Sequence, residues 1–181
     1  MTIRITGGEA RGRAITSPAH KGVRPTASKM RQALFNILAA QVVEARFLDV
    51  FAGTGLVGLE ALSRGAASLT AVEQNRALAL SIRSVAENLG YEADVIVADF
   101  RKALPGLAGQ KFDIIFADPP YRTNFGQEAL NLVSHSNLLD DDAVLVVEHL
   151  HQSKLSVGSL SLHQVDRRQY GQSAFSFFKK P

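Results

Sequence analysis

The stretch LDVFAGTGLVGLEAL, Leu48–Leu62, decides how the rest of the chain is read. FLDVFA has the make-up of a buried strand, and GLVGLEALSRG that of a helix. Between them Gly53-Thr54-Gly55-Leu56-Val57-Gly58 spells G-x-G-x-x-G. Glycines there let the backbone turn sharply and come close to a ligand at a helix N-terminus. A second apolar run, SLTAVE, ends on Glu73, an acid placed to accept ribose hydroxyls. This combination fits a dinucleotide or S-adenosylmethionine. Asp49 and Asp99 favour the second. Asp49 precedes the glycines, where a carboxylate suits a cationic amino group and opposes a pyrophosphate. Asp99-Phe100 closes the third apolar run and offers an acceptor for an adenine amine beside an apolar wall; Asp99 also suits the N-cap of the next helix. Phe51, Gly53 and Gly55, in the turn itself, and Thr26 complete the candidate cofactor-binding set.

Outward from this turn, strand and helix patterns alternate. NRALALSIRSVAENLG reads as a helix closed by Gly90, ADVIVA as a strand, and FRKAL as a short helix stopped by Pro105. KFDIIFA, FGQEALNLVSHS and DAVLVVEH continue as strand, helix and strand. Such alternation predicts a parallel sheet with helices on both faces. The C-terminal runs LSLHQVDRRQY and SAFSFFKK lack a helix between them and read as an antiparallel hairpin. At the other end, TIRIT and GRAITS flank GGEARG as a second hairpin. ASKMRQALFNILAAQ follows as a helix with Met30, Leu34, Ile37 and Leu38 on one face and Thr26 as its N-cap. The expected architecture is α/β: a Rossmann-like, mostly parallel seven-stranded sheet with a terminal antiparallel hairpin, typical of class I methyltransferases. A basic hairpin extension over residues 1–25 precedes a catalytic domain over 26–181.

FADPPYRTN, Phe116–Asn124, follows the fourth strand of this alternation. Two prolines cannot continue a strand, since each lacks an N–H and fixes φ near −65°. The chain therefore leaves the sheet at Asp118 in a stiff form, at the strand's C-terminal end, where open α/β sheets bind ligands. An exocyclic amine of a nucleobase is a weak nucleophile because its lone pair is delocalised into the ring. Acceptors holding both of its N–H bonds favour a pyramidal nitrogen with the lone pair aimed at a methyl group. The Asp118 carboxylate and the Pro119 carbonyl supply two such acceptors. Pro119 and Pro120 keep the carbonyl aimed, and Tyr121 can stack on an extruded base. Asp118 either takes the proton or only accepts a hydrogen bond.

The chain has 181 residues, 46% of them hydrophobic and 20% charged, as in a globular domain with a proper core. No apolar stretch is long enough to span a membrane, and the N-terminus lacks a signal-peptide h-region. With no cysteine there are no disulfides or Cys-ligated zinc, which fits a cytoplasmic location. The net charge of +3 is uneven: residues 1–46 carry +6, residues 47–150 carry −7 and residues 151–181 carry +4. Basic ends around an acidic middle point to a polyanion, and nucleic acid is the expected partner. Arg11, Arg13, Arg24, Lys29 and Arg31 in the first segment, and Arg167 and Tyr170 in the final hairpin, are the candidate RNA contacts. Arg167 and Arg168 would equally serve as protective charges on an edge strand. His149-x-His151 lacks a third ligand, so no metal is expected. Asp140-Asp141-Asp142 reads as a turn before a strand rather than a Mg²⁺ site. A nicotinamide-dependent dehydrogenase would share the glycine turn but leave D-P-P-Y unexplained. A non-enzymatic RNA-binding module would make Asp118 dispensable.

D-P-P-Y after strand four resembles motif IV of amino methyltransferases, and DVFAGTG resembles their motif I. GGEARGRAITSP, RPTASKMRQALFNIL and the tail RRQYGQSAFSFF are similar to the bacterial 16S rRNA guanine-N2 methyltransferases that modify the guanine numbered 966. The resemblance covers nearly the whole chain. It implies S-adenosylmethionine as cofactor, contacted by Asp49, Gly53, Gly55, Glu73, Asp99 and Phe100. It further implies a methyl-acceptor site at Asp118, Pro119 and Tyr121, and an Arg24-Pro25-Thr26 loop near cofactor and base. The implied substrate is 16S rRNA in the small ribosomal subunit or an assembly intermediate; the short chain without an obvious interface stripe is expected to act as a monomer. An adenine-N6 methyltransferase is the alternative within the class. Ala27-Ser28-Lys29 and Gln32 depart from the family pattern, which has an acid then Arg after R-P-T and a later Glu.

Overall fold

The computed structural model describes residues 2–16, 25–121, 123–158 and 161–181. Seven strands form one sheet: β3 (Arg46–Asp49), β4 (Ser68–Val72), β5 (Asp94–Ile96), β6 (Phe112–Ala117), β7 (Leu139–Leu150), β8 (His163–Tyr170) and β9 (Ser173–Lys179). Their spatial order is β5-β4-β3-β6-β7-β9-β8. Neighbours from β5 to β7 are parallel, and β9 runs antiparallel to both β7 and β8. Connections run outward from β3 to β5 and then return to β6, so strand order reverses between β3 and β6. A crevice opens there beyond the strand ends.

Side chains alternate across the buried strands as the pleat requires. Phe47, Ile114, Phe116, Val144, Val146, Phe175 and Phe177 share a core with α1 (Pro25–Leu38), α2 (Leu56–Ser63) and α3 (Arg76–Leu89). Leu48, Ile115, Ala117, Leu145, Val147 and Phe178 face α4 (Phe100–Gly106) and α5 (Phe125–Ser136). At the far end of the sheet Arg46 bridges Asp113 at 2.8 Å and Asp140 at 2.5 Å, tying β3, β6 and β7.

Several boundaries differ from expectation. α1 starts at Pro25, a residue pre-set for the first helical position, so Thr26 lies inside the first turn and is not the N-cap. Its last expected residues form a 3₁₀ turn, Ala39–Val42. Pro105 lies inside α4 and does not stop it; the helix runs one residue further, to Gly106. The acidic run belongs to β7. Between Phe112↔Leu139 and Ile114↔Val144 the register shifts, and Asp140–Ala143 bulge out of the ladder.

β1 (Thr2–Arg4) and β2 (Ala14–Thr16) pair antiparallel as a separate two-stranded sheet. Ile3, Ile5, Ala10 and Ile15 pack on Leu56, Leu59 and Ala86 of α2 and α3. Under this contact lies Glu60, fully buried, which binds Arg31 at 2.5 Å, Arg64 at 2.8 Å and the Thr6 N–H and hydroxyl. Burial works to raise the Glu60 pKa, but the bonds from Thr6, Arg64 and Arg31 outweigh it and hold the pKa down.

Candidate active site

The crevice is built from the ends of β3, β6 and β7. After β3 the chain turns through Gly53 and Gly55, with φ of 55° and 76°. A Cβ at Gly55 would stand 2.7 Å from Ile82 Cγ1, so this turn needs glycine for its conformation and for its packing against α3. The Gly53 N–H donates to Glu73 Oε2 at 2.8 Å, and Asn75 N–H donates to Oε1 at 2.7 Å. Glu73 at the end of β4 therefore braces the glycine turn.

Asp49 is 1% exposed, and its Oδ1 has no hydrogen-bond partner among the described residues. Burial pushes its pKa up to about 7; the N–H groups of Phe51 and Gly58 oppose that, and the charge of Glu73 adds to it. An unpaired carboxylate oxygen beneath a glycine turn is the feature a cationic amino group would satisfy. On the other side of the turn, Phe51, Phe100 and Phe125 form an aromatic wall, with ring centroids 4.7 Å apart for Phe51–Phe100 and 5.4 Å for Phe100–Phe125. Arg101 lies over Phe125 at 4.5 Å and pairs with Glu128 at 3.0 Å. Asp99 caps α4 by accepting the Arg101 N–H at 2.9 Å, as its sequence position suggests. These residues fit a cofactor with an ammonium at one end and a flat aromatic base at the other.

β6 ends at Ala117, and Asp118-Pro119-Pro120-Tyr121 crosses the crevice. Thr123 folds the loop back: its N–H and hydroxyl both donate to the Pro120 carbonyl, at 3.2 and 2.7 Å. The Pro119 carbonyl accepts no hydrogen bond from the described residues. Tyr121 is 42% exposed, yet its hydroxyl is anchored, donating to Glu148 Oε1 at 2.5 Å and sharing Ser173 Oγ at 2.7 Å. Asp118 has an exposed surface at the crevice mouth. Its pKa is nevertheless held well above the usual carboxylate range, by the surrounding protein first and then by the charges of Glu148 and Asp49. Water reaching the mouth moderates the first cause; the two neighbouring carboxylates act regardless. Burial also raises the Glu148 pKa, against the Tyr121 hydrogen bond.

Glu148, Ser173 and Phe125 are parts of this site that the sequence reading missed. Glu148 left one signal, an acid closing the apolar run AVLVV. Phe125 left its place just beyond the D-P-P-Y loop, and Ser173 left none.

The candidate RNA contacts scatter. Arg31 is 4% exposed and clamped on Glu60, so it is a buried structural cation and does not face RNA. Arg11 and Arg13 are exposed on the loop that packs beside Ser63, at the end of α2 away from the glycine turn. Lys29 is exposed in the first turns of α1. Arg167 is exposed but donates to the His151 carbonyl at 2.5 Å. Tyr170 is half-buried on Phe175, with centroids 5.8 Å apart, and pairs with Ser173 at the crevice edge. Arg24 and the side chain of Thr26 lie outside the described residues. His149 is buried on Ser176 Oγ at 2.8 Å. Among the described residues no helix is long and apolar enough to cross a membrane.

Comparison with known proteins agrees with this geometry. The family model described as Conserved hypothetical protein 95 matches residues 3–179. The ribosomal RNA small subunit methyltransferase D of Escherichia coli K12 is 37% identical, over 98% of this chain and 90% of that protein. A solved Escherichia coli structure assigned to a methyltransferase, yhhF, superposes with a TM-score of 0.86 at 34% identity, over 99% of this chain and 98% of that one. The fold alone recurs, with a TM-score of 0.73 and 22% identity, over 100% of this chain and 50% of a T. thermophilus 16S rRNA N2 G1207 methyltransferase solved with AdoMet and guanosine. Sequence motif, sheet order and relatives thus converge, and the chain belongs to the Conserved hypothetical protein 95 family, as a methyltransferase of the Rossmann-like class I fold related to ribosomal RNA small subunit methyltransferase D.

Proposed function

We propose that this enzyme transfers a methyl group from S-adenosylmethionine to the exocyclic N2 amine of a guanine in 16S rRNA, the one numbered 966. The observation that carries the reading is the meeting of Asp118 and a Pro119 carbonyl, free among the described residues, with the glycine turn at a single crevice. S-adenosylmethionine supplies a methyl group bonded to a positively charged sulfur. Asp49 binds its amino group, Glu73 its ribose, and Asp99 and the Phe51–Phe100 wall its adenine. Asp118 and the Pro119 carbonyl each hold one N–H of the target amine. The nitrogen lone pair then points at the methyl carbon, and an N–C bond forms as the S–C bond breaks. The surplus proton leaves through Asp118 to water. Residues 1–25 act as a basic extension to the catalytic unit of 26–181, and the protein works as a monomer in the cytoplasm.

The test is transfer of labelled methyl to small ribosomal subunits that lack the modification, followed by digestion to nucleosides. Labelled N2-methylguanosine is expected, with assembled subunits a better substrate than naked rRNA. N6-methyladenosine would keep the chemistry and overturn the target.

A further inference from the structure

Glu148 is a costly residue for the place it holds. It is 9% exposed and lies next to Asp118 with no cation paired to it among the described residues. Ala117, the last residue of β6, pairs in register with Val147 on β7, so Asp118, the first residue beyond β6, follows that pair beside Glu148. Val146 and Phe175 belong to the core on the α1–α3 face, and alternation puts Glu148 on that same side. Its Oε1 accepts the Tyr121 hydroxyl, and Ser173 holds that hydroxyl from the other side. Among the described residues Oε2 accepts nothing. Anchoring a tyrosine hydroxyl would need only an amide oxygen. A second carboxylate beside Asp118 repels it, and that cost is offset when N–H donors arrive at both.

The Watson–Crick edge of guanine brings such a pair. Its N2 amine and its N1–H are adjacent donors, whereas adenine sets an amine beside an N1 acceptor lone pair. Resting on the guanine-N2 reading above, we infer that Glu148 is the base-selecting residue of this enzyme: its Oε2 accepts the guanine N1–H while Asp118 holds the N2 amine, and Tyr121 with Ser173 fixes the carboxylate for that contact. Adenine presented at the same place turns a lone pair towards Glu148 and is rejected.

The experiment compares two substrates: small subunits reconstituted with guanosine, or with 2-aminopurine, at the position the wild-type protein methylates. 2-Aminopurine keeps the 2-amine but carries an acceptor at N1. Wild-type protein is expected to methylate it at least about tenfold more slowly. Glu148→Gln keeps an oxygen for Tyr121 and offers N1 a donor. It should slow guanine methylation roughly 10- to 100-fold and shift the guanine to 2-aminopurine ratio at least about tenfold towards 2-aminopurine. Tyr121→Phe keeps the carboxylate but loses the bond that fixes it, and should move the ratio in the same direction, at most a few-fold. The inference is overturned if wild-type protein uses both bases equally, if Glu148→Gln leaves the ratio unchanged, or if Tyr121→Phe moves it as far. Wild-type protein that methylates no guanine in unmodified subunits overturns the functional reading itself, and this inference with it.

Discussion

Two carboxylates at the crevice show how burial is used at the residue scale. Asp118→Ala should retain the fold and bind S-adenosylmethionine by calorimetry, while kcat falls by at least about 10²–10⁴ in single-turnover methyl transfer. The raised pKa of Asp118, caused by the surrounding protein, Glu148 and Asp49, sets the sign of the pH dependence. A protonated Asp118 cannot accept as a carboxylate. Activity should therefore rise with pH, with an apparent pKa above the ordinary carboxylate range, and a rate profile lacking that acid limb would contradict the role. Asp49 carries a stability consequence. Its folded pKa of about 7 exceeds the unfolded value, so stability is intact below about pH 4 and is lost progressively as pH rises towards 7. Asn at this position does not ionise. Asp49→Asn should unfold like wild type only below about pH 4 and be more stable at pH 8, by up to about 4 kcal/mol in urea titrations, while binding cofactor more weakly. Asp118 and Glu73 were legible because each ends an apolar run, and Asp49 because it stands just before the glycine turn. Glu148 was less so, since only its partnership with Tyr121 across two strands reveals a task.

The glycine turn and the Glu60 hub illustrate what elements ask of single positions. Gly55→Ala places a Cβ against Ile82 in a left-handed conformation. A loss of about 1–3 kcal/mol in denaturant titration is expected, with weaker cofactor binding. Glu60 holds the N-terminal hairpin, α1 and α2 together through Thr6, Arg31 and Arg64. Glu60→Ala strands Arg31 in the core and should cost about 3–5 kcal/mol, whereas the double change Glu60→Gln with Arg31→Met should recover much of that. Because the Glu60 pKa is lowered in the folded protein, its contribution is present above the ordinary glutamate pKa and lost as pH falls through the folded value. Strands and helices were readable from period and from glycine and proline punctuation. The hub was not: Arg31 and Glu60 are 29 residues apart, and a basic residue amid other basic residues reads as surface. The bulge at Asp140–Ala143 was hidden for a related reason, since an acidic run looks like a turn until Arg46 gathers it from another strand.

Across the whole molecule, charge is divided between an acidic central segment and basic ends. Binding to small subunits should weaken as salt rises, and Lys29→Ala should reduce the slope of log affinity against log salt by roughly 0.7–0.9 without changing the rate at saturating substrate. An unchanged slope would remove Lys29 from the interface. The mostly parallel sheet with its terminal hairpin, and a site at the strands' C-terminal ends, followed from the chain's alternation, whereas the insertion of β9 between β7 and β8 emerged only from the structure. Which basic residues face a partner did not follow, because that depends on packing between segments distant in sequence. The hub also has a consequence in time. Thr6 and Ala10 bind groups 54 and 53 residues later in the chain, and Arg46 waits for Asp113 and Asp140, 67 and 94 residues on. During synthesis the first-made strands emerge without the helix they pack on, and β3 emerges long before its partner β6. The apolar face of the β1–β2 hairpin thus stays uncovered during translation, exposed to whatever binds nascent apolar segments, until α2 and α3 arrive to cover it.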